Sequence, residues 1–112
     1  MLSEHDLVTR FRTRGQIHGG ELYLSSIAAR DFVAACQEND IAVVGIEGFK
    51  ISAGKKIPLL DCIADYSATS ADTWQDFCRL CNEYSHKFLS AQPLDQNLAF
   101  TLVTLSKDEW CV

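Results

Sequence analysis

Two cysteines three residues apart are the first residues in this sequence whose spacing could do chemistry. Cys78 and Cys81 form a Cys-x-x-Cys motif, a pattern that ligates zinc or carries out dithiol–disulfide exchange in other proteins. Zinc normally needs four ligands, and His86 is the only nearby candidate for a third. A redox pair lies at the start of a helix, whereas this pair falls within an apolar helical stripe. The sequence therefore favours core packing for both thiols.

Three carboxylates interrupt two otherwise apolar segments and form a second candidate site. Glu47 follows the apolar run 41–46, and Asp61 and Asp65 lie in the segment 57–66. Alternation along a strand puts Asp61 and Asp65 on one face. A hairpin turning at Gly54 would bring Asp61 within a step or two of the level of Glu47.

These acids are costly to bury without a partner, so they face solvent, a basic side chain, a metal ion or a binding partner. In the simplest alternative Asp61 is solvated and Asp65 accepts backbone N–H bonds near Tyr66-Ser67. In the second alternative they form a metal or paired-acid catalytic site, although no further ligand and no calcium-binding loop accompanies them. In the third they form a protein-binding surface. That surface would comprise Glu47, Asp61 and Asp65 together with Asp72, Asp76 and Glu83.

No other catalytic arrangement is indicated. The stretch Gly45-Ile46-Glu47-Gly48 lacks the glycine spacing of a nucleotide-binding loop, and its glycines are typical of bulge or close-approach positions in a strand. No spacing selects His5, His18 or His86 as the base for a cysteine, and a Gly-x-Ser-x-Gly motif is absent. We therefore predict a non-enzymatic protein with no cofactor and no metal.

The elements that position these residues follow from apolar periodicity and from capping and turn residues. The pattern predicts helix, a short strand, helix, strand, strand, helix and strand. The first predicted helix covers 4–12, the second runs from Ser25-Ser26 to Asn39-Asp40, and the longest is opened by 69–72 and has an apolar stripe from Trp74 to Leu89. The predicted strands cover 21–24, 41–51, 57–66 and 98–105. The segment from Arg14-Gly15 to Gly19-Gly20 is predicted to be a loop.

This order predicts one α+β domain over residues 1–112. Three or four mostly antiparallel strands would form its sheet, with two or three helices packed on one face. The run 41–46 is continuously apolar, so we expect it to be a central strand. Pro58 fits a strand start or an edge strand, and strand 98–105 is a candidate for an open sheet edge.

Composition narrows the class of function. The 112 residues are 47% hydrophobic, which is enough for a core, and no run approaches the length of a membrane span. The N-terminus shows no secretory signal, and the five cysteines, including Cys111, resemble reduced core residues, so we expect a cytoplasmic protein. The net charge is −5. An acidic chain disfavours nucleic acid and favours a cationic partner or plain solubility.

Two segments together resemble a known class of proteins. The first is Ile41–Phe49, directly after a helix that carries Cys36, and the second is Pro58–Ser67, followed by the helix with the 74–89 stripe. Over roughly residues 20–105 this layout resembles small acidic immunity proteins that neutralise bacterial polymorphic toxins or contact-dependent growth-inhibition toxins.

The resemblance implies a non-enzymatic inhibitor that binds the C-terminal domain of a cognate toxin, in the cytoplasm of the producing cell or its siblings. Many such toxins are nucleases with basic grooves, and complementary charge would speed binding. The resemblance to immunity proteins supplies no catalytic residues, so the six acids above remain an inference from charge. Two alternatives stay open: a regulatory or adaptor domain, and a small metal-dependent enzyme using Glu47, Asp61 and Asp65. The roles of the basic segments 10–14 and 50–56 and the oligomeric state stay open as well.

Overall fold

The computed structural model of the protein describes residues 1–110. Its helices and strands follow one another in a mixed order. They are α1 (Glu4–Phe11), β1 (Gly15–His18), β2 (Glu21–Leu24), α2 (Ser26–Glu38), β3 (Ile41–Ser52), β4 (Lys55–Asp65), α3 (Trp74–Ser90) and β5 (Leu98–Ser106), with short 3-10 helices at Arg12–Arg14 and Lys107–Glu109. No helix within residues 1–110 is long and apolar enough to cross a membrane.

Local signals account for the helix starts and the main hairpin. The hydroxyls of Ser3 and Ser25 accept hydrogen bonds from backbone N–H groups in the first turns of α1 and α2, as N-caps do. β3 and β4 are joined by a two-residue turn, Ala53-Gly54, in which both residues have positive φ. Such a turn matches the twist of the flanking strands, and glycine adopts it without strain.

The five strands form one antiparallel sheet in the order β1-β2-β5-β3-β4. β3 and β5 pair along almost their whole length, from Ile41 opposite Ser106 to Lys50 opposite Leu98. β4 pairs with β3 from Gly45 onward and leaves the first residues of β3 without a strand neighbour on that side.

One face of the sheet packs against α1 and α2. Ile46 and Phe100 on neighbouring strands are buried in a single cluster with Leu7 of α1 and Phe32 of α2, and Leu89 near the end of α3 joins it. Because Ile46 and Phe100 point toward the helices, the residues that alternate with them point to the opposite face.

Helix α3 takes the place of a strand along the free part of β3. The buried amide of Asn82 accepts a hydrogen bond from the Val43 N–H (2.8 Å) and donates to the Ile41 carbonyl (3.0 Å) and to Gln37 Oε1 (2.8 Å). The hydroxyl of Ser85 donates to the Val43 carbonyl (3.1 Å). These side chains satisfy backbone groups that would otherwise be buried without partners.

A second, aromatic cluster covers one end of the opposite face. Trp74 and Phe77 of α3 pack with Trp110 at ring-centroid distances of 5.9 and 5.4 Å, over Ala42 and Val44 of β3. The Trp74 indole N–H donates to the Asp40 carboxylate at 2.8 Å, which ties the end of α2 to the start of α3.

The structure confirms the α+β class and corrects several details. The sheet has five strands instead of three or four, because Gly15–His18, predicted as loop, pairs with β2. The last strand is interior instead of an open edge, since β2 and β3 flank it. The N-cap of α3 is Thr73, whose hydroxyl accepts from the Asp76 N–H, so 69–72 precede the helix. The predicted edge position of Pro58 is confirmed, whereas residues 41–44, although buried, have only β5 as a strand neighbour.

Replacing Asn82 with alanine should lower the free energy of unfolding by about 2–4 kcal/mol, because the Val43 N–H and the Ile41 carbonyl lose their partner while they stay buried. Urea denaturation followed by circular dichroism measures this. The control is Lys87→Ala on the exposed side of the same helix, which should change stability by no more than about 0.5 kcal/mol. Equal stability of the two variants would contradict the assigned role of the amide.

Candidate partner-binding face

Glu47 lies in the middle of the sheet face that the helices leave uncovered. Its neighbour on β4 is Ile63 and its neighbour on β5 is Thr101. Two residues along β3, Gly45 lies between Asp65 on β4 and Val103 on β5. Across the sheet, Glu47 therefore lies directly beside the apolar Ile63, and Asp65 lies in the neighbouring row of residues.

The apolar members of this face are exposed to solvent. Ile63 is 52% exposed and Val103 is 56% exposed, so no element of residues 1–110 covers them. Leu60, nearby on β4, is 82% exposed. Large apolar side chains that are grouped on a surface mark interaction sites more often than isolated ones do.

An irregularity in β4 presents Leu60 and Asp61. Between the pairs Glu47–Ile63 and Phe49–Pro58, β3 advances two residues while β4 advances five. The extra residues leave the ladder, as in a β-bulge. Gly48 makes this approach feasible, because a Cβ at that position would lie only 2.6 Å from the Cβ of Cys62. The prediction of a bulge or close approach at this glycine is confirmed.

The three strand acids share this neighbourhood. Asp61 and Asp65 each lie two residues along the chain from Ile63, which is opposite Glu47, but Asp61 falls in the irregular segment and has no partner in the β3 ladder. Asp65 Oδ1 accepts from the Ser67 hydroxyl (2.6 Å) and from the Ser67 N–H (2.9 Å). These bonds lower the pKa of Asp65 and keep its carboxylate ionised.

The helix acids form a separate group. Asp76 and Glu83 lie on the exposed side of α3 and flank Arg79, whose guanidinium is 3.6 Å from the first carboxylate and 3.2 Å from the second. Asp72 lies in the loop before the helix. Asp76 and Glu83 are partly neutralised by Arg79, whereas Glu47, Asp61 and Asp65 make no salt bridge within residues 1–110.

The geometry of the strand acids suits recognition of another molecule. Within the described residues, no three His, Cys, Asp or Glu side chains come together in a way that could hold a metal ion. The acids instead lie among exposed apolar residues, so a partner would meet apolar contacts and negative charge side by side. Sequence reasoning missed Ile63 and Val103; the alternation Asp61-x-Ile63-x-Asp65 was the available signal for the first, and only long-range pairing supplies the second.

Three of the five cysteines lie in the core as the sequence predicted, whereas Cys62 is partly exposed. Cys36, Cys78 and Cys81 are buried, while Cys111 lies outside the described residues. Burial raises the pKa of Cys78 to about 11 and raises the pKa of Cys36 and of Cys81 as well. Both thiols of the Cys-x-x-Cys motif are therefore protonated core residues at neutral pH.

Comparison with known proteins gives no relative: no protein-family model, no curated protein and no solved structure matches this chain.

The Asp65–Ser67 contact predicts a measurable titration. Ser67→Ala removes the hydroxyl bond, so the pKa of Asp65 should rise toward its ordinary value of 3.8. Because the folded-state pKa is depressed, the stability from this carboxylate is complete above pH 3.8 and is lost as the pH falls through the folded-state value. Carbon-detected NMR titration of the Asp65 carboxyl carbon measures the pKa. An identical pKa in both proteins would refute the assigned cause.

Alkylation should separate the cysteines of the native protein. Cys62 is partly exposed, so iodoacetamide should modify it before the buried Cys36, Cys78 and Cys81. Peptide mass spectrometry after a short reaction at mildly alkaline pH gives the order, and the denatured protein provides the control in which all four react. If Cys78 or Cys81 reacted as fast as Cys62, the motif would be accessible and its assignment as core would be wrong.

Proposed function

We propose that this protein is a non-enzymatic inhibitor that binds a bacterial toxin domain and neutralises it. The observation that carries the proposal is the open sheet face, on which exposed Ile63 and Val103 flank the acidic Glu47. The resemblance of segments 41–49 and 58–67 to immunity proteins supplies the class of partner. Action in the cytoplasm of the producing cell is part of the same proposal.

The physical character of this face fits a protein partner. Protein interfaces combine an apolar centre, which excludes water, with a polar rim that provides orientation. Here the apolar residues are Ile63 and Val103, with the exposed Leu60 nearby on β4, and the acids Glu47, Asp61 and Asp65 lie among and beside them. The face is on a paired sheet, so little ordering of the backbone is required when the partner binds.

The net charge of the protein narrows the kind of partner further. A net charge of −5 attracts a basic surface and raises the association rate. A nuclease toxin has such a surface, because its groove must bind phosphates. We assign direct contact to Glu47, Asp61 and Asp65, and we assign long-range attraction to Asp72, Asp76 and Glu83, since the last two already interact with Arg79.

The first test identifies the partner. Tagged protein incubated with lysate of its source organism should retain a toxin-like protein through a high-salt wash, because burial of Ile63 and Val103 does not depend on salt. Co-production with that toxin's C-terminal domain should then prevent growth arrest. Absence of both a complex and protection would show that the protein is not a toxin inhibitor.

Charge and contact variants locate the interface. Ile63→Lys should weaken binding at least about 30-fold, because it removes an apolar contact and places a positive charge against the basic surface of the partner. Asp76→Lys on α3 should slow association only a few-fold, to an extent that depends on salt. Glu38→Lys at the exposed end of α2 changes the net charge by the same amount as Asp76→Lys and is the matched control for that variant. Surface plasmon resonance with the identified toxin domain measures the rates. Equal loss in all three variants would contradict the assigned face.

A further inference from the structure

A cleft opens where strands β2 and β5 separate. These strands pair at a single position, Leu24 opposite Phe100, and diverge toward the turn that precedes β2. The space between them has a volume of about 260 Å³. It is bounded by the β2 segment 20–22 on one side and by the β5 segment 101–103 on the other.

The interior of this cleft is apolar. Val8 of α1 and Phe32 of α2 reach it from the helix layer, and Leu22, Leu102 and Val103 line its sides. No lysine, arginine or histidine is among the lining residues within the described part of the chain. The cleft therefore offers apolar contacts on its helix side, and its lining holds no positive charge.

Two carboxylates complete the lining. Glu21 and Glu47 both line the cleft, both are exposed, and neither makes a salt bridge within residues 1–110. The Tyr23 hydroxyl donates to Glu21 Oε2 at 3.3 Å. Burial first, and then the charges of Glu21 and Glu47, raise the pKa of Tyr23. Lys56 Nζ lies 4.8 Å from the Tyr23 ring centroid and forms no salt bridge with either acid.

We propose that this cleft is a docking site for one basic side chain, an arginine or lysine, of the protein partner. The aliphatic stem would pack against Val103 where the cleft opens onto the uncovered sheet face, and the cationic end would meet Glu21 and Glu47 on that same face. Long basic side chains combine these two properties, since their stems are buried on apolar surface while the charge keeps polar contacts. The source of the side chain, a toxin domain, rests on the proposed function, whereas the binding chemistry of the cleft does not.

Charge complementarity selects this occupant. An apolar side chain would fill the cleft but would leave two carboxylates beside it without a counter-charge. An acidic side chain would be repelled by the same carboxylates. A basic side chain matches both the apolar part of the lining and the negative charge of the two carboxylates. Glu47 also connects the cleft to the exposed face that carries Ile63.

Small probes test the cleft without any knowledge of the partner. The intact 112-residue protein, labelled with ¹⁵N, is titrated with n-hexylguanidinium, with n-hexylammonium and with the neutral n-hexylurea. We expect saturable shifts for one or both cations, confined to residues at the cleft such as Leu22, Thr101 and Val103, and affinity at least about tenfold weaker for the urea. Equal affinity for the urea would overturn the proposal, as would the absence of saturation up to about 100 mM cation.

Matched variants separate a built site from general attraction. The double variant Glu21→Gln, Glu47→Gln should lose at least about tenfold in cation affinity. The control Glu38→Gln, Asp108→Asn removes the same number of negative charges from exposed positions outside the cleft, and it should bind as the unchanged protein does. Equal losses in both variants would show attraction to net charge alone and overturn the site.

The outcome is independent of the toxin experiment. Cation binding in the cleft together with no captured toxin would retain the docking site and reject the inhibitor. A toxin complex whose affinity is unchanged by Glu21→Gln, together with no cation binding, would retain the inhibitor and reject the docking site.

Discussion

Asn82 makes the contact on which the arrangement of this protein depends. The first residues of β3 have β5 on one side and no strand on the other, so their backbone groups need partners from elsewhere. The side chains of Asn82 and Ser85 provide those partners from a helix. This is a way to close a sheet edge that would otherwise be free to pair with another chain. Since the bonds also reach Gln37 of α2, they fix two helices and the sheet together.

The position of α3 decides which surface remains open. With α3 at the margin of β3, its Trp74 and Phe77 reach only one end of the sheet face opposite α1 and α2. The rest of that face stays uncovered, and there the alternation of β3, β4 and β5 places Glu47 beside Ile63 and Thr101. An exposed group of apolar residues is therefore a consequence of how the helices satisfy the edge of β3.

Glu47 connects the two surfaces assigned to binding. It lies among the exposed residues of the open face and also lines the cleft between β2 and β5. A partner bound over the face would bring a side chain to the cleft without any rearrangement of the sheet. The apolar part of such a contact would provide affinity, and the paired carboxylates Glu21 and Glu47 would select a basic group.

The sequence by itself determined the features that depend on neighbours along the chain. Ser3 and Ser25 cap helices, Gly54 makes the hairpin turn, and the apolar run 41–46 forms a buried strand, because caps, turns and periodicity act over a few residues. Only the tertiary structure decided the strand order, the pairing of β1 and the bulge in β4, since these depend on which distant segments share hydrogen bonds. The three strand acids were predictable as a group, because they lie on two strands joined by a short turn. Val103 was not predictable, because it is 56 residues from Glu47 in sequence yet lies in the adjacent row of the sheet.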